Sequence, residues 1–347
     1  MITVVYGTRP EAIKLAPVVE ELRKRSAVHV ICTGQHRSLL DAIELRADLY
    51  LDLMEPDQTP TAFVARALKR LDEDLQGRWV VVQGDTATAF AGALAAFHKK
   101  IPVAHVEAGL RTHDLAAPFP EEGYRQMIDR IATRLYAPTP WARENLLQEG
   151  RLDADIKVTG NTGIDAALRT GRGKCHGRFP FILATIHRRE AFGAPIENVC
   201  KALLRIVQTT NLNVVFPMHP NPHVRDAVTR TLRGEPRIRL VEPLSYKDLL
   251  DTMQNAMCVV TDSGGIQEEA PYFGVPVLVA RETTERQEAI KAGASRLVGF
   301  DEDAIVREVT RLHLDPEARA EMAVPRYIFG DGMASERIAN DLMGEPR

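Results

Sequence analysis

Val-Val-Thr-Asp-Ser-Gly-Gly-Ile-Gln-Glu-Glu (259–269) predicts a buried strand, a tight turn with two glycines and the start of a helix. The glycines leave backbone amides uncovered and a helix N-terminus carries partial positive charge, so the turn suits a phosphate. Alone, Ser263-Gly264-Gly265 indicates no more than an ordinary junction in an α/β protein. Glu269 could accept hydrogen bonds from sugar hydroxyls, and Arg286 adds a cation after the next strand. Together these residues favour a nucleotide-sugar pocket.

The rest of the chain repeats the pattern of a strand followed by a helix. Apolar strands such as 2–6 and 79–83 lead into polar turns, and a second series of such units restarts at 179–185. This alternation predicts parallel sheets covered by helices on both faces. The segment 171–177, rich in glycine and charge, is the best linker candidate. We therefore expect an α/β protein with two doubly wound domains.

Polar side chains follow the predicted strands at the points where the strands end. Ligands of doubly wound sheets bind beyond the carboxyl ends of the strands, so a cleft between two facing domains is the expected site. The residues that share this placement are Arg9, Gln35, Asp85, Glu107, His187, His219 and Ser263.

Composition excludes several classes of function. The 347 residues carry a net charge of −3, which provides no basic field for nucleic acid. No apolar run is long enough to span a membrane and no signal peptide is visible, so we expect a cytoplasmic protein. The cysteines have no close pairing and are expected to be free thiols rather than disulfides or metal ligands; they are Cys32, Cys175, Cys200 and Cys258.

Three carboxylates are candidates for acid–base chemistry. Asp85 could instead cap a helix, and Glu121 could only complement a helix dipole. Glu107 has no helix start to cap, because it lies between a very apolar strand and an Ala-Gly turn. If all three lie on one wall of a site, their mutual repulsion would shift their pKa values, as in an acid–base cluster.

The candidate cations are less specific. Arg9 follows a strand and precedes a helix started by proline, so it is well placed to hold an anion, whereas Lys14 could be an ordinary solvated lysine. The segment 187–189, His-Arg-Arg, follows an apolar strand and is expected to face the site. His219 is equally compatible with a site and with an ordinary loop.

Common cofactor motifs are absent. No Gly-x-Gly-x-x-Gly follows the first strand, no Walker-type loop appears, and no Cys/His spacing indicates zinc. We expect no cofactor and no metal.

Motifs along the whole chain resemble those of the bacterial non-hydrolysing UDP-N-acetylglucosamine 2-epimerases. They are Gly-Thr-Arg-Pro-Glu-Ala-Ile-Lys (7–14), Thr-Gly-Gln-His (33–36), Gly-Asp-Thr (84–86), His-Val-Glu-Ala-Gly-Leu-Arg-Thr (105–112), Pro-Glu-Glu (120–122), Gly-Asn-Thr (160–162), His-Arg-Arg-Glu (187–190), Asp-Ser-Gly-Gly-Ile-Gln-Glu-Glu-Ala-Pro (262–271) and Thr-Thr-Glu-Arg (283–286). The resemblance implies a GT-B-like pair of Rossmann-like domains, a homodimer and a UDP-sugar substrate. The domains would be 1–170, joined by a C-terminal helix at about 326–347 that crosses back, and a UDP-binding domain at 178–325.

The same resemblance implies roles for individual residues. The catalytic group would be Asp85, Glu107, Glu121 and His187. The residues that bind substrate or UDP would be Arg9, Lys14, Arg188, Ser263, Gly264, Gly265, Glu269 and Arg286. The implied reaction removes UDP to give 2-acetamidoglucal and re-adds it, interconverting the gluco and manno sugars. Which carboxylate is the base and which the acid stays open.

A second, activating UDP-N-acetylglucosamine site occurs in many members of the family. Gln35 and His219 match it, but Ser38 stands where glutamine is frequent and Asp57 where arginine is frequent. Because an aspartate repels a diphosphate, we hypothesise weakened or absent activation. Strong stimulation of the reverse reaction by trace UDP-N-acetylglucosamine would contradict this hypothesis.

Alternative functions are a 2-epimerase for a related UDP-sugar, such as a 2,3-diacetamido uronic acid, and a hydrolysing epimerase. From other classes, a GT-B glycosyltransferase and a non-catalytic sugar-nucleotide sensor remain. The carboxylate trio disfavours simple transfer, which removes no proton at C2.

Overall fold

The computed structural model describes residues 1–35, 45–55, 58–171 and 180–344. The chain divides into two compact units. Unit 1 comprises Met1–Arg169 and Phe329–Arg347, and unit 2 comprises Thr170–Ile328.

Unit 1 is built on a seven-stranded parallel sheet in the order β3-β2-β1-β4-β5-β6-β7. The strands are β1 (Ile2–Tyr6), β2 (Val28–Cys32), β3 (Leu49–Tyr50), β4 (Trp79–Gln83), β5 (Val103–Val106), β6 (Arg134–Ala137) and β7 (Ile156–Val158). The helices are α1 (Arg9–Arg23), α2 (Pro60–Asp74), α3 (Ala87–His98), α4 (Glu121–Ile131), α5 (Pro140–Gln148) and α6 (Thr162–Thr170). Strand order reverses between β1 and β4, so the carboxyl ends of these two strands form the switch point where a ligand is expected.

Several helices of unit 1 begin at a threonine for a clear chemical reason. Thr8, Thr59, Thr86 and Thr139 each precede a helix and accept a hydrogen bond from a backbone N–H three residues further on. In α1 the glutamate at the third helical position returns the interaction, which completes a capping box. The caps fix where each strand–turn–helix junction bends, and thereby where the side chains of the turn lie.

Unit 2 contains a six-stranded parallel sheet in the order β10-β9-β8-β11-β12-β13. The strands are β8 (Phe181–Thr185), β9 (Asn213–Pro217), β10 (Ile238–Val241), β11 (Cys258–Thr261), β12 (Val277–Val279) and β13 (Ser295–Leu297). The helices are α7 (Ala194–Thr209), α8 (Pro222–Leu232), α9 (Tyr246–Asn255), α10 (Gly264–Tyr272), α11 (Gln287–Lys291), α12 (Glu302–Leu314) and α13 (Pro316–Met322). Here the switch point lies between β8 and β11. The predicted fold class, two doubly wound Rossmann-like sheets, is confirmed.

The last helix, α14 (Ala334–Leu342), belongs to unit 1, as the predicted crossing-back helix requires. Ile338, Ala339 and Leu342 are buried in one apolar cluster with residues of α1 and β1. The carboxylate of Asp165 accepts hydrogen bonds from the backbone N–H groups of Ala334 (3.3 Å) and Ser335 (2.7 Å), so a neighbouring helix caps α14.

Some local predictions differ from the structure. The tail from residue 301 is not continuously helical, because residues 323–333 are irregular between α13 and α14. Pro325 and two glycines with positive φ, Gly330 and Gly332, explain the break. Of the helix predicted at 38–47, residues 45–47 are not helical and 38–44 lie outside the described residues. Residues 172–177 of the predicted linker also lie outside them.

The described cysteines Cys32, Cys200 and Cys258 are buried free thiols, as expected. Cys175 lies outside the described residues.

Candidate active site

Glu107 occupies a backbone conformation that a side-chain-bearing residue rarely adopts. It follows β5 with φ of +70° and is 8% exposed. Lys14 on α1 reaches both of its carboxylate oxygens at 2.7 Å, Asn161 donates to one of them at 3.3 Å, and Gln83 at the end of β4 donates to the other. Donors from three different segments therefore hold this carboxylate, and the unusual backbone conformation delivers it to them.

Asp85 follows β4 at the switch point of unit 1 and is half-buried. Its carboxylate accepts a hydrogen bond from the Arg125 guanidinium on α4. Glu121, the first residue of α4, lies one helical turn before Arg125, so α4 brings Glu121 towards the turn that carries Asp85. A Cβ added to the adjacent Gly84 would lie 3.9 Å from Glu107 Oε2. The structure thus places Asp85 and Glu107 at the same edge of the sheet, and Glu121 opens the helix that supplies the partner of Asp85.

The neighbouring Glu122 has a structural task. It is fully buried, and its carboxylate accepts hydrogen bonds from the backbone N–H groups of Thr112 (3.1 Å) and His113 (3.2 Å). Of the two glutamates that open α4, Glu122 fixes the preceding loop and Glu121 is the one that remains half-exposed.

A buried ionic chain supports the turn that carries Asp85. His105 on β5 places Nδ1 2.6 Å from Asp129 Oδ1 and Nε2 2.8 Å from the Gly84 carbonyl oxygen. The Gly84 carbonyl oxygen can only accept, so Nε2 of His105 carries a proton, and Asp129 holds the other ring nitrogen. Arg111 donates to the other oxygen of Asp129 at 2.7 Å. Burial raises the pKa of Asp129, but the charges of His105 and Arg111 and their hydrogen bonds outweigh it, and the net pKa lies below its usual value.

The first strand–helix turn combines a cation with a buried acid. Arg9 opens α1 and is half-buried, and burial lowers the pKa of its guanidinium. Two residues on, Glu11 is fully buried and accepts from the backbone of Gly7 (3.0 Å) and Thr8 (2.7 Å) and from the Thr86 hydroxyl (2.6 Å). Burial outweighs these neutral donors and raises the pKa of Glu11 to about 7.

Gln35, predicted for the activating site, contacts the start of α3. Its side-chain oxygen accepts from the backbone N–H (3.2 Å) and hydroxyl (2.8 Å) of Thr88. Thr88 lies two residues after the turn 84–86, so these hydrogen bonds place the Gln35 side chain beside that turn. Ser38 and Asp57, on which the hypothesis of weak activation rests, lie outside the described residues.

In unit 2, His187 and Asp262 meet at the switch point between β8 and β11. Asp262 Oδ2 accepts from the backbone N–H groups of His187 (2.9 Å) and Arg188 (2.8 Å), and Oδ1 lies 2.9 Å from His187 Nδ1. Asp262 is fully buried, whereas the His187 side chain is 38% exposed. Burial raises the pKa of Asp262, but the charge of His187 and the hydrogen bonds from His187 and Arg188 lower it below its usual value.

His219 stacks on His187. The centroids of the two rings are 5.8 Å apart and the interplanar angle is 28°. Nδ1 of His219 accepts a hydrogen bond from the Asn221 backbone N–H at 3.2 Å, which leaves the proton on Nε2. Arg188 extends towards Glu285, with 3.7 Å between the guanidinium and the carboxylate.

The turn at 263–265 opens α10 with no side-chain cap on its first amides. A Cβ on Gly264 would lie 2.8 Å from the Arg286 guanidinium carbon, whereas a Cβ on Gly265 would meet nothing within 4 Å. Gly264 is thus needed for packing, and the space beside Gly265 is open to a ligand. Arg286 is buried, and its guanidinium donates hydrogen bonds to Glu268 (2.8 Å) and Glu285. It therefore packs against the turn at Gly264.

Glu269, predicted to accept sugar hydroxyls, lies in α10 and is 6% exposed. Its Oε1 already accepts a hydrogen bond from the Tyr246 hydroxyl at 2.8 Å, from the start of α9. Burial, with the Glu269 charge, raises the pKa of Tyr246, so the phenol keeps its proton and acts as donor. The carboxylate is therefore held ready in a fixed orientation.

Comparisons with known proteins agree with this geometry. The family model described as UDP-N-acetylglucosamine 2-epimerase matches residues 20–343. The 2-epimerase of Bacillus subtilis is 45% identical, with 98% of this chain and 94% of that protein covered, and that of Escherichia coli K12 is 43% identical, with 97% of both covered. The chain belongs to the UDP-N-acetylglucosamine 2-epimerase family. The predicted family, and with it an epimerase, is confirmed.

Solved structures of the epimerase family superpose on the whole chain. The Neisseria meningitidis UDP-GlcNAc 2-epimerase bound to UDP-GlcNAc has a TM-score of 0.94 at 38% identity and covers 99% of both chains. The Methanocaldococcus jannaschii enzyme in complex with UDP-GlcNAc and UDP has a TM-score of 0.87 at 31% identity, again with 99% of both chains covered.

Two residues of the candidate site in this epimerase-family chain, Asp262 and Tyr246, are not predicted from the sequence. Asp262 lies within the predicted phosphate turn, where its position directly after a buried strand and beside a switch point is the signal for an orienting carboxylate. Tyr246 gave no signal at all, because its partner Glu269 is 23 positions away on another helix.

No described group of three or more His, Cys, Asp or Glu side chains could hold a metal ion. Among the described helices of this family member, none has the length and apolar character needed to cross a membrane.

Proposed function

We propose that this chain interconverts UDP-N-acetylglucosamine and UDP-N-acetylmannosamine by eliminating UDP to 2-acetamidoglucal and adding it back. The observation that carries the proposal is the match, over 99% of both chains, to the Neisseria meningitidis enzyme that was solved with UDP-GlcNAc bound. The C2 proton of the sugar is not acidic by itself. Departure of UDP creates a glycosyl cation beside it, and the proton then becomes easy to remove.

Within this reaction Glu107 is proposed to stabilise the positive charge. Its two oxygens are engaged by Lys14, Asn161 and Gln83, donors that suit a carboxylate carrying negative charge. A carboxylate fixed so tightly is better suited to an electrostatic task than to repeated proton exchange. Asp85 and Glu121, which are both half-exposed, are the proposed proton carriers.

UDP is proposed to bind at the carboxyl edge of unit 2. The uncapped amides after Ser263 and the open space beside Gly265 suit a phosphate, and Glu269 suits the ribose hydroxyls. Arg188 provides a cation at the same edge, His187 is the proposed active-site histidine there, and Arg9 is the proposed anion-binding residue of unit 1. Arg286, which lies against Gly264, is also proposed to bind UDP.

The remaining predictions are proposals of the same kind. We assign residues 1–170 with about 326–347 to one domain and 178–325 to the UDP-binding domain. Gln35 and His219 are proposed to serve a regulatory site, and the product is proposed to feed polysaccharide synthesis. A homodimer and a cytoplasmic location stay predictions; light scattering on the purified chain measures the former.

Incubation of UDP-N-acetylglucosamine with the chain in deuterated water, followed by proton NMR, tests the function. The expected products are both UDP-sugars with deuterium at C2. Free N-acetylmannosamine with UDP would instead indicate a hydrolysing enzyme. Absence of deuterium at C2 would exclude the epimerase reaction.

A further inference from the structure

We propose that Asp262 is a positioning residue that holds His187 in one ring orientation, with Nδ1 protonated, so that Nε2 is the nitrogen presented to the substrate. This inference rests on the proposed function only for its kinetic readouts. It concerns a residue that the reaction itself does not require as an acid, base or nucleophile.

The geometry of Asp262 differs from that of a helix cap. Helix α10 begins at Gly264 without a side-chain cap, and neither oxygen of Asp262 is used for that purpose. Instead, both oxygens turn to the loop after β8, where one binds two successive backbone N–H groups and the other lies 2.9 Å from the ring of His187. A single buried carboxylate thus binds the backbone of this loop by hydrogen bonds through one oxygen and contacts the ring of His187 as a 2.9 Å ion-pair partner through the other.

The strand order explains why this aspartate can reach that histidine. β8 and β11 are adjacent, with Thr185 paired to Thr261, so the residues that follow the two strands emerge side by side. The Thr185 and Thr261 hydroxyls are 2.7 Å apart, and Thr261 also accepts from the Ser263 backbone N–H. These contacts fix the position of the turn after β8 relative to the turn after β11.

The orientation has a chemical consequence. A carboxylate can only accept, so the nitrogen facing it carries a proton and Nε2 is left for another partner. The side chain is 38% exposed although its anchor is fully buried, an arrangement that supports one end of a ring and leaves the other accessible. Among the described residues, His219 from the turn after β9 stacks on the His187 ring, and Arg188 follows in the same loop. Neither supplies a carboxylate, so the contact with Nδ1 is made by Asp262.

Asp262→Asn separates this role from a packing role. The asparagine oxygen can still accept from the backbone N–H groups of residues 187 and 188, so the loop is retained. The amide NH₂ then faces Nδ1 as a donor, which removes the negative charge and reverses the proton arrangement of the ring. Asp301→Asn is the matched control, because Asp301 caps α12 in the same unit and asparagine caps equally well.

The primary test is ¹⁵N NMR of histidine-labelled protein without substrate, which distinguishes protonated from unprotonated nitrogens of the neutral ring, with the His187 signals assigned through His187→Asn. We expect the proton on Nδ1 of His187 in the parent chain and in Asp301→Asn, and on Nε2 in Asp262→Asn. The same protonated nitrogen in the parent chain and in Asp262→Asn would overturn the proposal. This readout judges the pair even if the chain proves to have no epimerase activity, which would overturn the proposed function alone.

Kinetics provide the second test. For Asp262→Asn we expect kcat to fall about a hundredfold, with KM and the affinity for UDP changed less than about threefold. In the double variant with His187→Asn, no further loss beyond that of His187→Asn is expected, because the two residues act as one unit. Losses that multiply would contradict the pairing. Should Asp262→Asn fold poorly, Asp262→Glu keeps the charge, and partial recovery of kcat is then expected.

Discussion

Two buried carboxyl groups, one at the edge of each sheet, show opposite ionisation behaviour. Glu11 in unit 1 is surrounded by neutral donors, and burial raises its pKa to about 7. Asp262 in unit 2 is equally buried, yet the charge of His187 and the associated hydrogen bonds bring its pKa below the usual value. Hydrogen bonds from neutral groups only partly replace lost hydration, whereas a cationic partner reverses the balance.

Exposure separates two histidine–aspartate pairs in a similar way. His105 and Asp129 in unit 1 are sealed, with side chains 0% and 1% exposed, and Arg111 completes the cluster. His187 is 38% exposed beside its buried partner Asp262. The same chemical pair serves as a scaffold where water is excluded and can serve a ligand where one ring nitrogen remains accessible.

The largest expected effect concerns an open ion pair. Asp85, with a side chain 32% exposed, is bound by Arg125 and is proposed to exchange protons. We expect Asp85→Asn to retain UDP binding and to lose turnover about a thousandfold, which corresponds to ~4 kcal/mol. Steady-state rates and calorimetric UDP binding measure both quantities. Wild-type turnover in this variant would refute the assigned role.

The sealed pair is expected to act on stability. Asp129→Asn removes the buried carboxylate that joins His105 and Arg111, while Arg111 keeps its second partner Glu149 at 2.7 Å, and should lower the free energy of unfolding by about 3 kcal/mol. Urea unfolding measures the loss. Asp153→Asn is the control, because the exposed pair of Asp153 with Arg143 is worth less than about 1 kcal/mol. Equal losses of unfolding free energy in the two variants would show that burial of the His105–Asp129 pair does not increase its contribution to stability.

The raised pKa of Glu11 predicts a pH-dependent stability. Between its ordinary value of 4.5 and about 7, the folded chain keeps a proton on Glu11 that the unfolded chain has lost. Stability therefore falls as pH rises through this window, by at most about 3 kcal/mol. Glu11→Gln should lack this component. Unfolding free energies of both proteins from pH 5 to 8 should diverge with increasing pH, and parallel curves would contradict the prediction.

The smallest effect tests the backbone site of unit 2. Gly265→Ala adds a methyl group to open space, so we expect unchanged stability and an affinity for UDP lowered about tenfold, or ~1.4 kcal/mol. Gly264→Ala is the companion variant, in which the methyl group collides with Arg286 and destabilises the fold by about 1–3 kcal/mol. Full UDP affinity in Gly265→Ala would remove this turn from the proposed phosphate site.

The sequence predicted the two sheets and the edge at which polar residues gather, because strand ends are visible in the hydrophobic pattern. It did not predict the pairing of His187 with Asp262, which are 75 positions apart. That contact depends on the adjacency of β8 and β11, a property of strand order that periodicity does not carry. The sequence also does not predict the left-handed backbone of Glu107, although the Ala-Gly turn after it is visible there.

The sequence also does not reveal which side chains contact one another within unit 2. Arg286 is predicted to bind UDP, and the structure adds that its guanidinium contacts Glu268 and Glu285 close to Gly264. The sequence does not indicate that the Arg286 guanidinium occupies the space that a side chain at Gly264 would need.

The return of α14 to unit 1 has a consequence for the order of synthesis. Ile338, Ala339 and Leu342 complete an apolar cluster whose other members include residues of the first two strands. A ribosome makes these three residues only after all of residues 170–328, so the sheet of unit 2 is available for folding before the cluster of unit 1 can close. Unit 1 is therefore the first unit to be synthesised but the last to be completed. During translation the surface of α1 that packs against α14 stays exposed until α14 has been made.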